Sequence, residues 1–177
     1  ALQQLFNDAV WGELDYMVLD LPPGTGDIHL TLVQSVPVTG SVIVTTPQNV
    51  ALADVRKAAN MFENDAIKVP ILGVVENMSW FTPAELPNNK YYIFGKGGGQ
   101  IVANELNVEL LGQLPIVESI AEGSDNGKPI VLDYEHPVSR IFADIAQKVI
   151  QKIQIRNAEM APTPIVQINP NANCATD

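Results

Sequence analysis

The stretch "YMVLDLPPGTGD", residues 16–27, carries the residue types that could do chemistry. An apolar run ends in Asp20, and a loop of prolines and glycines follows it. A carboxylate buried alone is costly, so Asp20 needs a partner. In nucleotide hydrolases that partner is a magnesium ion reached through water, and the alternative is a structural ion pair. Asp20 is therefore a candidate for both magnesium binding and catalysis.

The loop after Asp20 has little side-chain bulk. Gly24 and Gly26 would both let backbone N–H groups come close to a phosphate. Asp27 precedes "IHLTLVQSV", and it is predicted to be a helix N-cap even if the loop is functional.

The elements that must position these residues follow an alternating order. Continuous apolar runs are typical of strands covered on both faces. Segments with apolar residues at helical spacing lie between and after these runs. The sequence therefore predicts an α/β fold with a mostly parallel sheet flanked by helices. Ligands bind beyond the carboxyl ends of such strands, where Asp20 would lie. The predicted strands are 16–21, 40–46, 70–77 and 109–115, and the main predicted helices are 50–62 (N-cap Asn49), 98–106 and 136–153.

Composition narrows the class of protein. The 177 residues are 46% hydrophobic and 17% charged, as expected of a globular domain. The net charge of -10 argues against binding nucleic acid or an anionic membrane, and no apolar run is long enough to span one, so we expect a cytoplasmic protein. The single cysteine, Cys174, excludes an intrachain disulfide.

The ends of the chain differ from its middle. Residues 1–155 are predicted to form the domain, and 156–177 an irregular tail without periodicity, either disordered or loosely packed. Apolar residues at helical spacing begin already at Leu2, so the chain starts within an element, and we expect it to be a fragment.

Several segments together resemble the Mrp/Nbp35 family of P-loop ATPases, which are iron–sulfur cluster carriers related to MinD and ParA. "WGELDYMVLDLPPGTGD" resembles the family's switch II segment. The resemblance covers roughly residues 1–155 in order and spacing, which a lone glycine motif could not do. It implies the C-terminal portion of a three-layer P-loop NTPase domain. The further matching segments are "TTPQNVALADVRKAANMF", "ILGVVENMSWF", "FGKGGGQIVANEL" and "LLGQLPIVESIAEGSDNGKPIV".

The resemblance assigns roles on both sides of a nucleotide. Asp20 matches the Walker B acid, which orients magnesium and the attacking water, and Gly24 lies where the switch loop approaches the γ-phosphate. Asn77 matches an asparagine that hydrogen-bonds adenine. An amide at a strand end does offer a base edge both a donor and an acceptor, although Asn also forms turns.

Other site residues rest on the resemblance alone. Pro115 and Ile116 match a loop that packs on the adenine ring, and Pro47 and Gln48 stand where the family lines the site. The implied cofactors are ATP and Mg²⁺. The implied activity is ATP hydrolysis in a parent homodimer that serves iron–sulfur apoprotein or scaffold clients. The alternative is a nucleotide-gated scaffold or positioning protein of the MinD/ParA type, without a cluster.

The first departure from the family concerns the phosphate-binding loop. No Walker A motif occurs in residues 1–177. "FGKGGGQ", residues 94–100, is glycine-rich but lacks the terminal Gly-Lys-Ser/Thr, so we predict that it is not a phosphate loop. The chain then carries about half of a nucleotide site, and the fragment is expected to be inactive alone.

The second departure concerns the cluster. Many members of the family carry a Cys-x-x-Cys pair, whose thiolates suit iron–sulfur clusters, after the segment that matches "ENMSWF". Here "TPAE", residues 82–85, stands in that place. Either the carrier role is absent or the cluster is held elsewhere. Trp80 and Phe81 form either an exposed lip at a dimer face or part of the core, and we expect the core.

Overall fold

Three of the four predicted strands form one parallel sheet in the computed structural model, which describes residues 2–166. The strand order is β1 (Ser41–Thr45), β2 (Ile71–Glu76) and β3 (Leu110–Gln113). At the end of the ladder, Glu76 lies opposite Thr45 on one side and Gln113 on the other. All three strands therefore end at the same edge of the sheet, as the sequence predicted.

Helices cover both faces of this sheet. On one face α3 (Asn49–Glu63) and α4 (Gly98–Glu105) pack against the strands, and on the other face lies α6 (Pro137–Glu159). This arrangement gives the expected three layers. None of the helices in the described range combines the length and the apolar character needed to cross a bilayer. The core residues on the first face are Ile43, Leu52, Val74, Val102 and Ala103, and those on the second are Val75, Leu111 and Leu114.

Residues 16–21 do not form the predicted fourth strand. They are irregular, Val18 is 90% exposed, and Asp20 is exposed. A strand is stable only when a neighbour pairs with its N–H and C=O groups, and no residue of 2–166 pairs with this segment. Leu21 alone packs against a core cluster that contains Val33. The prediction of a buried strand ending on Asp20 was therefore wrong.

Two predicted helix caps are displaced by one residue. The helix α2 spans Asp27–Ser35 and has Gly26 as its N-cap, so Asp27 is a first-turn acid, not the cap. A carboxylate there still interacts favourably with the helix dipole. In the same way Gln48 occupies the N-cap position of α3, without a side-chain capping hydrogen bond, and Asn49 is the first residue of the helix.

Two short α-helices and one 3-10 turn, Ile130–Leu132, complete the fold of the described residues. The first, α1 (Leu2–Asn7), agrees with the early helical spacing. The second, α5 (Glu118–Asp125), was not predicted from the sequence. None of its residues is fully buried, and Ile120 is its one large apolar side chain, so the sequence shows no apolar stripe there.

The segment after α6 packs against the domain. The helix continues to Glu159, past the boundary expected at residue 155. Arg156 is buried and donates from Nη2 to Thr163 Oγ1 at 2.7 Å. Val166 donates its N–H to Val33 O at 3.0 Å and is itself buried. Residues 160–166, the C-terminal strap, are thus held at Thr163 and at Val166. Ala1 and residues 167–177, including Cys174, lie outside the described residues.

Replacing Val166 with Ala tests whether the strap stabilises the domain. Val166 is 8% exposed among Val33, Phe62, Ile67 and Val69. Removing its two methyl groups should lower the free energy of unfolding by about 1–3 kcal/mol. Ile165, which is 50% exposed, provides the matched control. Ile165→Ala should change stability by less than about 0.5 kcal/mol in urea titrations. Equal effects of the two substitutions would show that the strap is not packed as described.

A second test uses the ion pairs between α6 and the residue before β3. Glu109 accepts from Lys148 Nζ at 3.0 Å and from Lys152 Nζ at 3.2 Å. The hydrogen bond from Lys148, followed by that from Lys152, lowers the pKa of the Glu109 carboxyl. The stabilisation is therefore complete above the unfolded pKa of about 4.3 and is lost as the pH falls through the lower pKa of the folded state.

Glu109→Gln should remove this pH dependence. Because all three side chains are more than a third exposed, the loss at pH 7 should stay below about 1 kcal/mol. The difference from the unsubstituted chain should shrink toward pH 2 and in high salt. Urea titrations at several pH values measure it, and a difference that grows on acidification would contradict the assignment.

Candidate functional site

The carboxyl edge of the sheet brings together most of the predicted site residues. Asn77 follows β2, and its N–H donates to Thr45 O at 2.7 Å. Ile116 follows β3, and its N–H donates to Trp80 O at 2.7 Å. Pro115 is buried beside it. The chain segments after β2 and β3 therefore stay side by side beyond the strands, as the prediction of a shared base-binding edge requires.

The Asn77 side chain is partly committed to a turn. Its Oδ1 accepts from Met78 N–H at 2.9 Å, and Met78 has a left-handed backbone with φ of +55°. The turn-forming role is therefore observed directly. The second lone pair of Oδ1 and the Nδ2 donor stay compatible with a base edge, because an amide has two acceptor and two donor positions.

An aromatic lip, residues 78–96, projects next to this edge. Phe81 pairs with Tyr91 through two backbone hydrogen bonds of 2.8 Å and forms a bridge with Ile116. Phe81 is 37% exposed, so the expectation that it lies in the core was wrong. Trp80 is half-buried, with Lys90 Nζ 3.8 Å from its ring centroid. The lip is thus an exposed surface of mixed aromatic and basic character.

Pro47 and Gln48 also lie at this edge, after β1. Gln48 is exposed where α3 begins. Pro47 is buried, and its carbonyl oxygen lies 2.7 Å from the position that a Cβ on Gly98 would take. The contact that the structure shows for Pro47 is therefore with the glycine segment of the chain itself.

Asp20 and Gly24 lie outside the sheet edge, in the exposed segment before α2. No ion pair of the described residues involves Asp20, so a structural ion pair is not observed there. One exposed carboxylate suits a Mg²⁺ ion held through water, since Mg²⁺ keeps several waters and needs few protein ligands. Gly24 has φ of +97°, which favours glycine, and no atom lies within 4 Å of its Cβ position.

Glu76 is a site residue that the sequence analysis missed. It ends β2 and is only 1% exposed. Its Oε2 accepts from Gly99 N–H at 2.6 Å, and its Oε1 accepts from Gln113 Nε2 at 2.7 Å. The signal was present in the sequence, because "GVVE" ends an apolar run on an acid just as "MVLD" does.

The structural role of the glycine cluster at 95–99 follows from its hydrogen bond to Glu76. Gly99 is the second residue of α4, and the Glu76 carboxylate occupies the anion position that the start of a helix offers. Gly95 and Gly97 have φ of +102° and +75°, so the chain turns sharply into the helix. "FGKGGGQ" therefore holds a carboxylate of its own chain at the position that a phosphate would need.

Two other constellations carry no chemistry. Ser119 Oγ lies 3.4 Å from His136 Nε2, but His136 Nδ1 accepts from Val138 N–H. The neutral ring then bears its proton on Nε2 and cannot act as a base toward Ser119. Within residues 2–166 no group of three or more His, Cys, Asp or Glu side chains could hold a metal ion. Residues 82–85 supply no thiolate, so they do not fit an iron–sulfur cluster.

Two solved structures share this fold. A nucleotide-binding protein from Archaeoglobus fulgidus, solved in complex with ADP, is 37% identical, with a TM-score of 0.64 over 77% of this chain and 54% of its own. The cell division ATPase MinD from Pyrococcus furiosus has a TM-score of 0.58 at 20% identity, over 85% of this chain and 55% of its own. The second likeness concerns the fold alone.

Curated relatives and a family model agree on the family. An iron–sulfur cluster carrier protein from Synechocystis is 46% identical over 87% of this chain and 43% of its own length. The iron–sulfur cluster transfer protein NUBPL from Dictyostelium discoideum is 47% identical over 89% of this chain and 48% of its own. The chain thus spans about half the length of these relatives. Residues 1–150 match the ParA family model described as "NUBPL iron-transfer P-loop NTPase". The chain belongs to this family of P-loop NTPases.

Proposed function

We propose that this chain forms the base-binding and switch part of an ATP-hydrolysing protein of the Mrp type, which serves iron–sulfur cluster assembly or transfer. The observation that carries the proposal is the meeting of Asn77, Pro115 and Ile116 at one edge of a parallel sheet in a chain of this family. In parallel α/β sheets this edge is where ligands bind.

Adenine would be recognised at Asn77. The Nδ2 group can donate to a ring nitrogen, and the free lone pair of Oδ1 can accept from the exocyclic amine. Ile116, half-buried next to Pro115, offers an apolar surface for the ring. The ADP complex of the Archaeoglobus fulgidus protein supports an adenine nucleotide as the ligand.

Hydrolysis would depend on Asp20 and Gly24. Bound Mg²⁺ would supply positive charge to the β- and γ-phosphates. The exposed Asp20 carboxylate would hold that ion through water and orient the attacking water. The open backbone at Gly24 would let its N–H approach the γ-phosphate, since no side chain blocks it.

The rest of the phosphate site would lie in the additional length of the relatives. This chain covers 43–48% of the two curated relatives described above. We propose that the glycine-rich phosphate loop belongs to that length. The iron–sulfur cluster would be a cargo, bound by cysteine thiolates that lie outside residues 82–85. The protein would act as a homodimer and transfer the cluster to iron–sulfur apoproteins. Relatives at 46–47% identity favour this role over a MinD-type scaffold, for which the likeness is 20%.

Residues 1–177 alone should bind ATP with a Kd weaker than about 0.1 mM, because they contain no Walker A loop. Isothermal titration calorimetry with MgATP measures this. Micromolar binding would contradict the proposed division of the site.

A chimera would supply the proposed phosphate-binding part of the site. The segment of the Synechocystis relative that precedes the matched region is joined to Ala1. Asn77→Ala should raise the Kd for ATP about tenfold, through the loss of roughly 1.4 kcal/mol of hydrogen bonding, and leave weak GTP binding unchanged. Asp20→Asn should lower kcat by on the order of 10²-fold with little change in Kd. An unaltered kcat for Asp20→Asn would remove Asp20 from the mechanism.

Anaerobic reconstitution of the same chimera separates the two functions. Stable iron and sulfide, released on ATP addition in the presence of an apoprotein, supports cluster transfer. ATP-dependent binding of a partner by an iron-free chimera supports the scaffold alternative.

A further inference from the structure

The aromatic lip is closed at its base by one side chain. The chain leaves β2 after Glu76, runs through the lip, and returns at Gly99 in the first turn of α4. The Glu76 carboxylate joins the two ends through its bond to Gly99 N–H. We infer that Glu76 is a positioning residue. Its buried carboxylate holds together the two ends of the lip, at Glu76 and Gly99, which we call the neck. It thereby fixes the lip against the edge of the sheet that carries Asn77 and Ile116.

The chemistry of this clamp is favourable. Both carboxylate oxygens are used, at 2.6 Å to Gly99 N and 2.7 Å to Gln113 Nε2. Hydrogen bonds to an ionised acceptor are about twice as strong as neutral ones, and burial protects them from screening by salt. The negative charge also faces the positive end of the α4 dipole. The clamp therefore links β2, β3 and α4 at one point.

The start of α4 packs so closely at the neck that no side chain larger than glycine fits there. A Cβ on Gly99 would lie 2.7 Å from Glu76 Cβ, closer than real Cβ contacts come. On the preceding residue, a Cβ on Gly98 would lie 2.7 Å from Pro47 O. The start of α4 is thus pressed against the ends of β1 and β2, and only glycine permits this approach.

The first residues of the lip have anchors of their own. Ser79 is fully buried, and it donates its N–H to Leu114 O at 2.9 Å and its Oγ to Glu76 O at 3.0 Å. The returning residues of the lip, from 82 to 96, are exposed or half-buried, and none belongs to a core cluster of the described residues. The bond from Gly99 N–H to Glu76 should therefore decide where this returning part points. Asn77 adjoins Glu76, so base binding and lip orientation are coupled. That coupling rests on the proposed function, whereas the clamp does not.

Glu76→Gln tests the clamp in the 177-residue chain. Glutamine keeps the size and one acceptor but removes the charge. Hydrogen exchange of amides in residues 78–101 should accelerate at least about tenfold, while β1 to β3 keep their protection. In a Trp11→Phe background, Trp80 is the remaining tryptophan and its emission should shift. Glu109→Gln, the same charge change before β3, is the control and should leave lip exchange unchanged.

A paired substitution tests the chemistry more directly. Glu76→Gln combined with Gln113→Glu returns a carboxylate to the pair, because the amide introduced on β2 can accept from Gly99 N–H and donate to the new carboxylate on β3. Because Gly99 N–H still meets a neutral acceptor, lip exchange should recover only in part, to a rate between those of the original chain and of Glu76→Gln. Lip exchange that is unchanged in Glu76→Gln, that rises equally in all three strands, or that is as fast in the paired variant as in Glu76→Gln overturns the inference.

Two further arms keep the outcome decisive. If Glu76→Gln does not fold, Gln113→Ala removes one of the two bonds and keeps the charge. Faster exchange confined to the lip then supports the clamp, and unchanged or uniform exchange overturns it. In the chimera, ATP should slow lip exchange when Glu76 is present and fail to do so in the Glu76→Gln variant. Absence of ATP binding in the chimera contradicts the proposed function only, since the other arms use no nucleotide.

Discussion

Parallel pairing of β2 on both of its edges is the constraint on which the rest of the structure depends. A central strand must satisfy its N–H and C=O groups through neighbours on either side, and parallel neighbours end at the same edge. Asn77, Ile116 and Gln48 meet because they each follow one of these strands. The three layers follow as well, because both faces of β2 are apolar and need cover.

The same constraint explains which elements could be predicted. Continuous apolar runs gave β1, β2 and β3, and helical stripes gave α3, α4 and most of α6. Residues 16–21 have an equally apolar pattern but form no strand in the described range. A pattern reports the apolar character of a segment, whereas a strand also needs a neighbour. Conversely, α5 was missed because Ile120 is its one large apolar residue, so the segment shows no helical stripe.

At the site, the residues predicted from the family resemblance are placed coherently after β1, β2 and β3, and their roles toward a nucleotide stay predictions. Glu76 could have been found from the sequence, since it ends an apolar run on an acid. Its partners could not be predicted. They depend on a close backbone approach at Gly99 that sequence spacing does not encode.

The irregular segment before α2 has a consequence for how the chain behaves at high concentration. Val10 is 99% exposed and Val18 is 90% exposed, and the outer edge of β1 has no partner within residues 2–166, with Val44 60% exposed. Unpaired strand edges beside apolar side chains favour association between molecules. Electrostatic repulsion between molecules of net charge -10 opposes that association. Added electrolyte shortens the range of that repulsion without weakening the apolar attraction. We therefore expect the polypeptide to stay dispersed in dilute buffer and to self-associate as the salt concentration rises.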